Sequence, residues 1–365
     1  MFVAVYTLAK FRGENMTAIK RVISACLFAG TVASLPAQAQ DAVADFYRGK
    51  QINIYAASSA GGGYDTYARL LGRHIGRYIP GNPTPVVQNM PGAAGKTATA
   101  FIANVAPRDG TAMTGTYAQA ITDPLVTDRA KSPYDPEKML YLGSMEGEPY
   151  LCFVRGDAPV KTMHDLLEKE LIVGGSAPGA SMVASPALLN NVIGTKFKLV
   201  MGYKGSREVT LAAIRGEIQG WCGMGWSASQ AVIRQELERG ELRILFQENG
   251  EENELTRKLK IPRATELARN KEDLQVMNLF YSQQRFGRPY ITTPGVPAER
   301  LAALRKAFAD VLSDRQLLAE AERLNIRVTL MTGEELQRIV GDIYKTPPEL
   351  VERAKKALDI TGVVK

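Results

Sequence analysis

Chemistry in this 365-residue sequence would have to come from two histidines, three cysteines and a few glycine-rich loops. The histidines do not read as catalysts. His74 stands at helical spacing among apolar residues, and His164 lies near a helix start in Thr162-Met163-His164-Asp165, so each fits a core or surface role. There is no G-x-S-x-G elbow, no H-E-x-x-H and no C-x-x-C, and no cluster of metal ligands. No catalytic residue, cofactor or metal is therefore expected. Gly92-Ala93-Ala94-Gly95-Lys96-Thr97 looks like a phosphate loop but fails the count, because that motif needs glycine where Met90 stands. Gly223-Met224-Gly225-Trp226-Ser227-Ala228 matches G-x-G-x-x-A after a strand, yet lies late in a lobe rather than in its first unit, which argues against a dinucleotide. The stretch from Ser58 through Ala60, Gly61, Gly62 and Gly63 to Asp65 differs from both. It follows Ile52-Asn53-Ile54-Tyr55 and leads into Tyr67, Leu70, Leu71, Ile75 and Tyr78 at helical spacing. Glycines there let the backbone reach positive φ and expose N–H groups at a helix start, where the dipole favours an anion. On that reasoning Gly62→Val is expected to weaken binding while leaving the fold intact. Asp65 would repel an anion; as a first-turn acid it is expected to accept backbone N–H bonds and brace the loop, direct ligand contact being the minority reading.

The loop needs a scaffold that holds it at a strand end. From Asp41 to about Arg155 strands alternate with helices: the opening unit, then Thr84 to Asn89, a Pro91-Gly92 turn into a helix, and a short strand at Ala112 to Thr116. That order predicts an α/β fold with a mostly parallel sheet covered by helices. Ligands collect at the carboxyl ends of such strands, where the glycines, Asn89 and Thr116 fall. A second opening of the same kind runs from Leu171 through Gly174, Gly175 and Ser176 to Ser181 and on into a helix. Further strands are predicted near residues 197–201, 218–222 and 242–246. Two small-residue loops, one per lobe, suggest a ligand clamped between lobes. Lobe 1 is expected over residues 40–155 and 285–365, lobe 2 over 156–284, with crossings near 150–156 and 278–291. The apolar stripe Leu301, Leu304, Phe308, Val311 and Leu312, the capping box opening at Thr332 and the helix start at Pro347-Pro348 predict terminal helices that pack back on lobe 1.

Residues 1–39 are set apart. Lys20 and Arg21 precede an apolar run ending in Ala37-Gln38-Ala39, which fits a secretory signal cleaved after Ala39; Met16 would begin a signal of conventional length. Setting this segment aside removes four basic residues and one acidic residue and lowers the formal charge from +7 to +4. The remaining Lys and Arg are scattered among acids, so no nucleic-acid partner is expected. Cys152 and Cys222 remain; an oxidising compartment would allow them to pair, and two buried free thiols are the alternative.

Several motifs together resemble one family. Phe46-Tyr47-Arg48-Gly49-Lys50 before the glycine loop, Gln88-Asn89-Met90-Pro91-Gly92-Ala93-Ala94-Gly95 and Ala106-Pro107-Arg108-Asp109-Gly110-Thr111 are similar to the substrate-binding receptors of tripartite tricarboxylate transporters, the Bug or TctC-like proteins. Lobe 2 agrees through Gly175 to Ser181 and Gly202-Tyr203-Lys204-Gly205-Ser206, and the tail through Pro294-Gly295-Val296-Pro297. The resemblance covers the whole chain beyond the signal. It implies a periplasmic two-lobed Venus-flytrap fold of type II, monomeric, that takes a small organic carboxylate and delivers it to membrane permease subunits. It also implies a carboxylate held by backbone N–H groups and waters at Ser58, Ala60, Gly61, Gly62, Gly63 and Asp65, with Asn89 and Thr116, and across the cleft at Ser176, Ala180, Ser181 and Tyr203. The sequence departs from the family at Ala60, often proline, at Gln219, often aspartate, and at Phe286-Gly287-Arg288-Pro289-Tyr290. A receptor that signals to a sensor protein without transport is the alternative, and a carboxylate-acting enzyme a minor one.

Overall fold

The computed structural model describes residues 35–365 except 128, 148, 177–179, 204–205, 249–253, 325 and 365. The expected signal lies outside these residues, apart from 35–39, whose backbone enters the first helix, α1 (Leu35–Tyr47). Two sheets follow. The first joins β1 (Gln51–Ala56), β2 (Thr84–Asn89), β3 (Ala112–Gly115), β4 (Leu140–Ser144), β10 (Pro289–Thr292) and β11 (Met331–Thr332) in the order β11-β4-β10-β3-β1-β2. The second joins β5 (Tyr150–Arg155), β6 (Leu171–Gly174), β7 (Phe197–Val200), β8 (Gly220–Gly225) and β9 (Leu242–Gln247) in the order β7-β6-β8-β5-β9. Within each lobe the second, first and third strands run parallel, and the strand that has just crossed from the other lobe is inserted antiparallel beside the third. The same order in both sheets is the type II two-lobed arrangement expected from the sequence.

Residues 150–155, expected as a crossing, are instead this inserted strand of the second sheet. Leu151, Cys152, Phe153 and Val154 are fully buried, as befits a strand covered on both faces. The chain therefore crosses over 145–149 and returns over 282–288. The two cysteines are joined: Cys152 on β5 is bonded to Cys222 on the neighbouring β8, closing the question the sequence left open.

Helices cover both sheets. In lobe 1 these are α2 (Gly63–Ile75), α3 (Lys96–Asn104) and α4 (Ala118–Val126); in lobe 2, α5 (Ser181–Ile193), α6 (Ser206–Arg215), α7 (Trp226–Glu238), the short α8 (Glu254–Lys258) and α9 (Lys271–Tyr281). On α2, Tyr67, Leu70, Leu71, His74 and Ile75 form one buried face, and each fully buried leucine contributes about 1.5–3 kcal/mol. His74 pins that helix to α11 (Arg315–Arg323) through Glu320, 2.7 Å away. α10 (Ala298–Val311) and α12 (Gly333–Tyr344) lie against β4. The last helix, α13 (Pro348–Ala357), leaves lobe 1. Its buried face of Val351, Ala354 and Ala357 packs on α5 and α9 with a smaller contact to α4, and Val363 then accepts a hydrogen bond from Leu199 at the edge of β7.

Candidate functional site

The glycine loop is held from within. Asp65 is 3% exposed, and its carboxylate accepts hydrogen bonds from the Gly61 N–H at 2.8 Å, the Asn89 amide at 2.7 Å and the Arg69 guanidinium. Ser58 Oγ accepts the Asp65 N–H, and the Gly62 N–H donates to Ser59 O. Burial by itself raises the Asp65 carboxyl, but the hydrogen bonds from Arg69, Gly61 and Asn89 outweigh it and hold the carboxyl below its ordinary value. Its contribution to stability is therefore present above the ordinary carboxyl pKa and is lost as pH falls through the depressed one. Asp65→Ala is expected to cost about 2–3 kcal/mol in urea denaturation, because the Gly61 N–H and the Asn89 amide lose their acceptor. The positive φ anticipated at Gly62 belongs to Gly61, at 76°. Gly62 is the N-cap of α2 at φ −75°, and a side chain there would start 3.0 Å from Ser58 Oγ. Any harm done by Gly62→Val thus comes from crowding rather than from the backbone angle.

What faces the cleft is the start of the helices. A cavity of about 240 Å³ between the sheets is lined by Tyr64, Tyr117, Gln119, Ser181, Met182 and Gly223–Gly225, together with Glu146, Tyr150, Gln284, Gly287 and Arg288 from the crossings and their flanks. Four helices begin at its wall, two from each lobe. Their N-caps are Gly62 for α2, Tyr117 for α4, Ala180 for α5 and Gly225 for α7, and none of these side chains caps its helix. Ser, Thr, Asp or Asn would ordinarily take up first-turn N–H groups. Ser58 Oγ takes the Asp65 N–H of α2, and the Ala120 and Val183 N–H groups turn back to Tyr117 O and Ala180 O, so what the four helices present to the cleft is the positive end of each dipole with the N–H groups at the very start of the turn. Gly223 makes the lobe 2 wall possible: its φ is +76°, and a Cβ there would lie 2.3 Å from Ser181 O.

The crossings form the floor. The Gly287 N–H donates to Glu146 O at 2.8 Å, and the Met145 N–H donates to Arg288 O. Arg288 Nε donates to Glu146 Oε2 at 2.6 Å, and its guanidinium lies 4.3 Å and 4.7 Å from the ring centres of Tyr64 and Tyr67. The Tyr64 hydroxyl donates to Gly287 O, which ties α2 to the hinge. The lobes also touch across the cleft, Gln119 Nε2 donating to Ser181 Oγ at 3.3 Å. Behind the lining, Glu248 is fully buried and accepts from Ser185 Oγ on α5, from Gln284 in the return crossing and from the Gly223 N–H. Burial pushes its carboxyl up to about 7, with those three donors opposing the rise.

Of the residues singled out from the sequence, Ser181 lines the cavity and Ala180 stands at the N-cap position of the helix that Ser181 opens. Gly63 lies beside it, against the Arg288 fork. Ser58, Ala60, Gly61, Gly62, Asp65 and Asn89 form the braced loop behind. Thr116 is buried, its hydroxyl shared with Thr99 and Gly95 O. Ser176 accepts the Gly202 N–H through its carbonyl, and Tyr203 packs into the lobe 2 core. Gln219 accepts the Ile172 N–H at the start of β6, the end away from the cavity. The sequence reading missed Tyr64, Tyr117, Gln119, Glu146 and Arg288; the departure from the family at Phe286 to Tyr290 was the signal that could have found Arg288. Neither histidine lines the cavity. Among the described residues no three His, Cys, Asp or Glu side chains are grouped to hold a metal ion, and no helix is long and apolar enough to cross a membrane.

No family profile matches the chain. Over 204 residues it is 28% identical to a UPF0065 protein of Agrobacterium vitis from the TAR-I ttuE-ttuC' intergenic region, a match that spans 54% of this chain and 56% of that one. The chain thus aligns with a little over half the length of this relative. Among solved structures it is similar to a TctC solute-binding protein from Polaromonas, with a TM-score of 0.65 at 19% identity over 84% of this chain and 99% of the other. It is also similar to MatC from Rhodopseudomonas palustris with bound malate, with a TM-score of 0.58 at 18% identity over 83% of this chain and 99% of the other. The chain has the two-lobed fold of the TctC solute-binding proteins, the family its sequence resembles.

Proposed function

We propose that the protein is a periplasmic receptor that closes on a small organic carboxylate and, as a monomer, delivers it to permease subunits in the membrane. It works by binding and carries out no chemistry. One observation carries the reading: four helices, two from each lobe, begin at one cavity between the lobes, and none is capped by the side chain of its own N-cap residue. A carboxylate there meets the positive ends of the four helices and accepts N–H groups at their starts, and only the closed state brings both lobes to it. The ligand's affinity difference between open and closed states is what drives closure. Malate in the MatC structure supports the ligand class by analogy. The test is calorimetry on protein unfolded, dialysed and refolded to remove carried-over ligand, titrated with mono-, di- and tricarboxylates. Saturable binding of at least one acid is expected; a panel in which none binds overturns the reading.

A further inference from the structure

We propose, building on the carboxylate-receptor reading, that Arg288 anchors the ligand and that the cavity selects a single carboxylate on a flat apolar body, an aromatic monocarboxylate, over aliphatic di- and tricarboxylates. The anchor is immobilised before ligand arrives. Its Nε is committed to Glu146 at 2.6 Å, and the face of its guanidinium lies against Tyr64 at 4.3 Å. The two terminal nitrogens stand 3.2 and 3.3 Å from the point where a side chain on Gly63 would begin. This sets the guanidinium, which also hydrogen-bonds the Tyr64 side chain, beside the start of α2, and a planar fork is the donor that carboxylates pair with. Any side chain at position 63 would occupy that space.

The charge count then limits the rest of the ligand. Among the described lining residues Arg288 is the one cation, and Glu146 already offsets it. Among the described residues a second carboxylate would meet helix starts alone, each equivalent to about half a charge, with no further guanidinium or ammonium in the lining. A flat apolar body has better partners. Tyr64 and Tyr117 stand together with ring centres 3.9 Å apart on the lobe 1 side, and Met182 and Met224 line the lobe 2 side. Aromatic faces and thioethers both pack favourably on a ring.

The test uses ligand-free refolded protein and four acids: benzoate, 4-hydroxybenzoate, succinate and citrate, each titrated by calorimetry at pH 7.5. The benzoates are expected to bind at least about tenfold more tightly than succinate or citrate. Arg288→Lys, which keeps the charge but loses the fork, is expected to weaken benzoate roughly 100-fold, and Tyr117→Ala to shrink the preference for benzoate over succinate about tenfold. Succinate or citrate binding as tightly as benzoate overturns the selectivity while leaving the receptor reading in place. Unchanged benzoate affinity in folded Arg288→Lys overturns the anchor. Should no acid bind wild-type protein, the receptor reading falls and the inference with it; the wild-type panel decides this whether or not the variants fold.

Discussion

Protein carrying both Cys152→Ala and Cys222→Ala is expected to unfold at markedly lower urea than the wild type. The bond spans a sequence separation of 70 residues, and constraining a loop of that length in the unfolded chain contributes about 4 kcal/mol on the chain-entropy account. Its position adds a second effect. Cys222 lies next to Gly223, whose left-handed backbone and contact with Ser181 build the lobe 2 wall. Loosening β8 against β5 should therefore weaken ligand binding as well as stability. Equilibrium urea denaturation of the double variant, with wild type as reference, checks the first effect. A stability change under about 1 kcal/mol would show that the bond constrains little.

Glu248→Gln is expected to flatten the pH dependence of stability and to raise stability on the alkaline side. Burial lifts the Glu248 carboxyl from its ordinary value of 4.5 to about 7, so the folded state holds the proton more tightly than the unfolded one. Below 4.5 both states are protonated and the group costs nothing. Between 4.5 and 7 the unfolded state releases its proton first, and stability falls as pH rises; above 7 the loss is complete. A displacement of this size corresponds to a difference on the order of 3 kcal/mol between the ends of the window. The amide in Glu248→Gln occupies the same space among Ser185, Gln284 and the Gly223 N–H without ever ionising. Thermal or urea midpoints at pH 4.5, 6 and 8 decide the matter. Parallel slopes for wild type and variant would mean that Glu248 keeps an ordinary pKa in the fold.

How far the sequence carried the argument depended on whether a signal was local. The run from Ile52 to Leu71 announces strand, loop and helix because its apolar residues change period from two to 3.6 across three glycines, and the structure has β1 and α2 there. The two-lobed α/β class followed from repeating that unit at Leu171. Tyr150 to Arg155 misled because a fully buried central strand and an apolar linker have the same composition; only its neighbours β8 and β9 distinguish them. The cleft was harder still. Arg288 and Glu146 come from opposite crossings 142 residues apart, and nothing in either segment names the other. The Gly223 to Ala228 motif was visible as glycine spacing, but spacing does not say that the turn faces the opposite lobe. Helix starts without a side-chain cap at the N-cap position were readable in principle, since Gly62, Tyr117, Ala180 and Gly225 carry no short side-chain acceptor.

The repeated strand order also bears on how the chain is made. The first sheet is completed by strands that reach it only after the chain has built the second: β10 enters it at residue 289, between β3 and β4, which were synthesised about half a chain earlier. The first lobe therefore has no finished sheet of its own while the chain is emerging, and its pairings span long separations that close slowly. The second sheet, whose five strands all lie within residues 150–247, needs no such return and can form while the first still waits for β10.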